Sequence, residues 1–229
     1  MGYLAYLFAF YAAQYLFGFG MHYPYLIAAA VAVYLAKRMR WLPDPYLWIK
    51  HARRVRVLKS EISQNPDNVT SRRDLARIWI EKGRPRRAIS LLEEARRREP
   101  ESAELALMLG KAHLQAGAAE KSLPFLVESA HANERAHYGE AYLLAGRALL
   151  ELKRAPEAED ALDRYLSINS SSVEGRVLMA WARRAQGDQD GADRAMRDAL
   201  ETFSQVPRFR RRAELRWWLR ANLMRVGLG

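Results

Sequence analysis

The residues able to do chemistry are few and scattered. The five histidines are His22, His51, His113, His131 and His137. No pair has the i, i+4 spacing that puts two imidazoles on one helical face for a metal. His131 and His137 are six apart and point different ways on a helix. There is no cysteine, which excludes disulfides, thiolate metal sites and a cysteine nucleophile together. Gly18-Phe19-Gly20 lacks the following Lys-Ser/Thr of a phosphate loop. The acidic pairs Glu93-Glu94 and Glu159-Asp160 fall in amphipathic stretches, where a solvated face accounts for them. The expectation is a non-enzyme with no catalytic residue, no metal and no cofactor.

What organises the chain is charge and period. The formal net charge is +11 over 229 residues, and it is unevenly placed. Residues 1–36 carry no charged side chain. The stretch 37–59 holds Lys37, Arg38, Arg40, Lys50, Arg53, Arg54, Arg56 and Lys59 against Asp44 alone. The tail 207–229 holds seven arginines against Glu214. A nucleic-acid binder spreads its basic stripe over the folded domain. Basic residues beside an uncharged apolar run suit an anionic membrane surface, so lipid is expected and nucleic acid is not.

The uncharged run, interrupted by Gly18, Gly20 and Pro24, reads as a retained membrane anchor over 1–42. Two short spans in a hairpin and one long kinked helix both fit. Each half would reach roughly 26 Å at 1.5 Å per residue. In either case Lys37, Arg38 and Arg40 mark the cytoplasmic face of a bacterial-type inner membrane. Trp41 and Trp48 are placed to act as interfacial aromatics there.

Asp44-Pro45 is a helix start, an N-cap with proline at the first helical position. Trp48, Ala52, Val55, Leu58 and Ile62 then make one apolar stripe up to Asn65-Pro66. The segment 43–68 is therefore expected as a half repeat. From Val69 onward a period of about 34 residues appears. Its units begin at Val69, Ala103, Gly139 and Val173. Their eighth positions are Ala76, Gly110, Gly146 and Ala180; their twentieth are Ala88, Ser122, Ala158 and Ala192. Small residues there let two antiparallel helices cross closely. Position 15 is Gly83, Gly117, Lys153 and Gly187, glycine being the usual left-handed helix stop. In 207–229, Leu215, Leu219 and Leu223 suggest a capping helix that lays leucines on the fourth unit, with its arginines facing water.

The combination of small residue, turn glycine, second small residue and closing Pro100 resembles the tetratricopeptide-repeat family across 69–206. Departures are the fourth positions Arg72, Ala106, Tyr142 and Arg176, and the missing turn glycine of unit three. The resemblance implies an all-α solenoid of antiparallel helix pairs. It also implies a concave groove for a protein or peptide partner. By that likeness the groove would be lined by Arg73, Arg77, Glu104, Leu107, Lys111, Leu114, Glu140, Leu143, Arg147, Leu150, Glu174 and Trp181. That is an apolar floor beside a basic row and an acidic row. The two rows could equally neutralise each other. Position 6 carries no asparagine, which argues against the family's clamp for chaperone C-termini. The function expected is a membrane-anchored scaffold or adaptor; an accessory subunit of a larger integral membrane complex is the alternative.

Overall fold

The computed structural model describes residues 45–225. The anchor expected over 1–42, with Lys37, Arg38, Arg40 and Trp41, lies outside the described residues. Among those described, no helix is long and apolar enough to cross a membrane. The chain divides into Met1–Arg54 and Val55–Gly229. The second unit is all-helical among its described residues and holds the whole stack.

Helix α1 runs Pro45–Gln64. Four pairs follow: α2 (Val69–Glu81) with α3 (Pro85–Arg96), α4 (Ala103–Gln115) with α5 (Ala119–Ala132), α6 (Glu140–Glu151) with α7 (Ala155–Ile168), and α8 (Val173–Ala185) with α9 (Gln189–Gln205). Helix α10 (Arg208–Arg225) ends the described chain. The first helix of each pair, here the A helix, touches the A helix of the next pair, whereas successive second helices, the B helices, make no extended contact. The A helices therefore form the inner, closely spaced row.

Local chemistry fixes the boundaries. Asn68, Ser102 and Ser172 cap α2, α4 and α8, each side-chain oxygen accepting from a backbone N–H three residues on. Each pair then turns through one left-handed residue: Gly83 (φ 65°), Gly117 (φ 76°), Lys153 (φ 60°) and Gly187 (φ 87°). All four turns close with the same bond, from Arg84, Ala118, Arg154 and Asp188 N–H back to the carbonyls of Trp79, His113, Leu149 and Arg183. Lys153 makes the glycine's turn at the steric cost its Cβ imposes.

The seam between helices of a pair is built on missing side chains. A Cβ on Gly110 would lie 2.5 Å from the Leu126 side chain, and one on Gly146 2.7 Å from Leu162. Leu92, Leu126 and Leu162 are fully buried at equivalent places in α3, α5 and α7. Each such leucine contributes about 2 kcal/mol of burial. Between pairs three and four the pattern varies. Tyr165 takes a place held elsewhere by Ala95, Ser129 and Ala199, and Gly175 makes room for it. A Cβ on Gly175 would meet the Tyr165 ring at 2.7 Å. The phenol is buried, and its oxygen accepts from Asn169 Nδ2 at 3.0 Å.

At the near end, Leu58 of α1 is fully buried, with Val55 and Ile62 partly buried against the core of the first pair. Glu61 accepts from the Ser71 hydroxyl at 2.6 Å. At the far end the expected leucine face is corrected. Leu215 and Leu219 are 45% and 49% exposed, while Trp217 (4%) and Ala221 (0%) are the buried ones among the described side chains of α10. Side-chain description of α10 stops before Leu223. A buried indole removes far more apolar surface from water than a leucine does, so the helix turns its tryptophan inward. Ala221 then supplies the small residue where close approach requires one.

Candidate partner-binding surface

The inner row brings together the charged residues the sequence singled out, and pairs them across neighbouring repeats. Arg73 Nη1 and Arg77 Nη2 donate to the two oxygens of Glu104 at 3.0 and 2.7 Å. Lys111 Nζ donates to Glu140 at 2.6 Å. Arg147 is ion-paired with Glu174. In each case a basic residue two turns into one A helix meets the acidic residue in the first turn of the next. The acid also sits favourably at the positive end of its own helix. Exposure falls along the row, from half for the Arg77 side chain to 29% for Arg147.

The leucines of the predicted floor are occupied by packing. Leu107 and Leu114 are buried in the central core cluster. Leu143 and Leu150 are partly buried against the next one. The inner surface is therefore a ladder of partly exposed ion pairs over a closed core. It is not an open apolar trough.

The ladder changes character at its last rung. Trp181 stands where Arg77, Lys111 and Arg147 stand in the earlier units, and it tilts against Trp217 of α10 at 6.1 Å between ring centroids. Three guanidiniums surround Trp217: Arg147 at 5.3 Å, Arg216 at 5.2 Å and Arg220 at 4.7 Å from its ring centre. Arg220 also lies 5.6 Å from the Trp181 ring. Burial, and then the charges of Arg216 and Arg220, lower the pKa of Arg147. The sequence places Trp181 in the groove and Arg216 and Arg220 on a solvated helix face; the structure brings both arginines onto the Trp217 ring. The repeated tryptophans and arginines of Arg216-Trp217-Trp218-Leu219-Arg220 were the available signal.

The opposite, outer side shows a second feature that the sequence reading missed. In α5, Phe125 fills the space toward α3, with His113 stacked on it at 5.5 Å and the Arg96 guanidinium 5.2 Å from the ring. The equivalent residue of α7 is Ala161, and a cavity of about 490 Å³ opens there between α5, α6 and α7. Its lining includes Leu123, Val127, Ala145 and Ala161. The two-residue longer spacing of unit two, visible in the repeat starts, is taken up next to it. His137, Tyr138 and Gly139 are all left-handed, and Tyr138 is 77% exposed.

Among the described residues there is no cluster of three or more metal-ligating side chains. Glu94 is ion-paired with Arg72. Glu159 accepts from Arg183 Nε at 2.8 Å and from Gln186 at 2.6 Å. The Trp48 side chain lies outside the described ones.

Comparison with known proteins agrees with this geometry. Two family models, both described as tetratricopeptide repeat, match residues 80–134 and 126–173. No curated protein matches the chain in sequence. Solved structures resemble it in fold. MamA AMB-1 in a P212121 crystal is 21% identical, covers 69% of this chain and 92% of its own, and superposes with a TM-score of 0.63. Another MamA crystal structure gives 22%, 66%, 87% and 0.62. The MamA RS-1 ArsTM double mutant gives 15%, 74%, 95% and 0.65. At these identities the likeness is one of fold. The tetratricopeptide-repeat models match residues 80–173, which lie within a longer all-helical stack.

Proposed function

We propose that this chain is a protein-interaction scaffold, held at the cytoplasmic face of a membrane by residues 1–42, whose inner repeat face docks a partner protein. The observation that carries the reading is the ion-pair ladder of Arg73, Arg77, Glu104, Lys111 and Glu140. Exposed pairs of this kind contribute about 0–1 kcal/mol each. A partner's charges can therefore replace one member at little cost, while the register of the row selects which partner fits. The uncharged run 1–36 and the basic neck Lys37, Arg38 and Arg40 support the membrane anchor and its orientation.

A photo-crosslinking residue placed at Lys111 in the full-length chain should form a discrete adduct with a partner protein in intact cells. The same residue at Asp160, exposed on the B helix α7, should form less or none. Equal adducts from both positions, or none from Lys111, would remove the inner face as the docking surface. A reporter fused after Gly229 should read cytoplasmic.

The second reading is an accessory subunit packed within a membrane complex, favoured by the aromatic residues Tyr3, Tyr6, Phe8, Phe10, Tyr11 and Tyr15. Exchange of residues 1–36 for an unrelated spanning helix separates the two. A scaffold keeps its Lys111 adduct, and a subunit packed through that segment loses it.

A further inference from the structure

The last rung of the inner row differs from the others in having more donors than acceptors. The first rungs match a basic residue or two with one carboxylate. At the end, Arg147, Arg216 and Arg220 crowd one indole; the carboxylate ion-paired among them is Glu174, and Glu140, itself paired with Lys111, also acts on Arg147. Glu174 is ion-paired with Arg147 and lies 3.9 Å from an Arg216 nitrogen. Arg220 contacts the Trp181 and Trp217 rings and, among the described residues, no carboxylate. Two buried donors of the cluster, Arg147 Nε and Trp217 Nε1, have no hydrogen-bond acceptor, and Glu174 Oε1, buried beside them, is held by the ion pair with Arg147 alone. Arg216 is two-thirds exposed, so the surplus charge faces solvent.

We propose that this cluster, between α6, α8 and α10, is the subsite that receives an acidic segment of the partner protein, with Arg216 and Arg220 each taking a carboxylate. The inference rests on the scaffold reading and names the chemistry of what docks there. Stacking on an indole holds a guanidinium flat and leaves its edge N–H groups free for bidentate pairing with a carboxylate. Glu174 stays paired with Arg147 and also draws on Arg216, so it competes with the incoming carboxylate. The position, on the closely spaced A-helix row, favours a protein segment lying along the helices over a flat lipid surface.

The probe is a labelled ten-residue peptide carrying four glutamates, with its glutamine counterpart as control. Both are titrated against the full-length chain by fluorescence anisotropy. The glutamate peptide should bind saturably and the glutamine peptide at least tenfold more weakly. R216Q/R220Q should weaken the glutamate peptide at least tenfold at unchanged Tm. R194Q/R197Q, which makes the same charge change on exposed positions of α9, should stay within twofold of the parent. Glu174→Gln removes the competing carboxylate and should tighten binding even if the double arginine variant folds poorly. The proposal is overturned if R216Q/R220Q binds like the parent, if R194Q/R197Q loses as much, or if Glu174→Gln loosens binding. It is also overturned if anionic phospholipid vesicles or single-stranded DNA bind through Arg216 and Arg220 while the peptide does not. If the Lys111 adduct survives any of these outcomes, this subsite fails and the scaffold stands; loss of both removes both.

Discussion

The two faces of each A helix obey different rules. Ala76, Gly110, Gly146 and Ala180 face a B helix across a seam with no spare volume. Arg77, Lys111, Arg147 and Trp181 lie one residue further along, rotated by about 100° onto the inner face. There the first three make partly exposed ion pairs, and Trp181 packs on Trp217. Close packing leaves one solution per position at the seam. The inner face tolerates many, because an exposed ion pair is weak and replaceable. Specificity of fold sits on one side of the helix and freedom to evolve a partner on the other.

The largest effect is expected where the inner face is nevertheless buried. Trp217→Ala removes the aromatic that closes the stack against Trp181, and should cost about 3–5 kcal/mol. Thermal or urea unfolding of the full-length chain, followed by circular dichroism, measures it. An effect near that of an exposed leucine, tested in parallel with Leu219→Ala, would return the cap to its leucine face.

At the seam, Gly146→Leu drives a side chain into Leu162, and Ala158→Leu attacks the same crossing from α7. Each should cost about 1–3 kcal/mol. On the inner face one residue away, Lys111→Gln should cost less than about 1 kcal/mol. If the two classes of variant melt alike, the contrast between the faces is lost.

A smaller effect of opposite sign is expected in the turn of unit three. Lys153 holds φ 60° where the other units use glycine. Lys153→Gly relieves the steric cost and gives back some unfolded-chain entropy, leaving a net gain of about 0.5 kcal/mol. Gly117→Lys, the reverse change one unit earlier, should lose a similar amount.

The smallest effect is in pH. Burial beside Phe125 is the main cause lowering the His113 pKa below its ordinary value; Glu93 opposes it and Lys121 adds to it. A depressed folded pKa means that the unfolded chain binds the proton more readily. Stability from this group is complete above the unfolded pKa and declines as pH falls below about 6.5. His113→Gln should flatten that part of the stability profile.

What the sequence made legible follows the same division. The small residues and turn positions were readable because sterics leave few alternatives, and the departure at Lys153 was visible as a departure. The paired rows were readable as two possibilities, ligand-binding or self-neutralising, since spacing alone does not choose a partner. The cap face was misread because Leu215-Leu219-Leu223 and Trp217-Ala221 are both regular helical stripes. They differ by the area buried, which periodicity does not weigh. The outer cavity depends on one absence, Ala161 where Phe125 stands one repeat earlier. Its meaning appears only when the two gaps are compared in space.

The central claim is that the inner face serves a partner while the seam serves the fold. It is tested most directly by measuring melting and Lys111-directed crosslinking on the same variants. R77Q and E140Q should melt close to the parent and lose most of the partner adduct, while Ala158→Leu should melt early yet keep the adduct at temperatures where it is folded. Inner-face variants that melt early and crosslink normally would contradict the account.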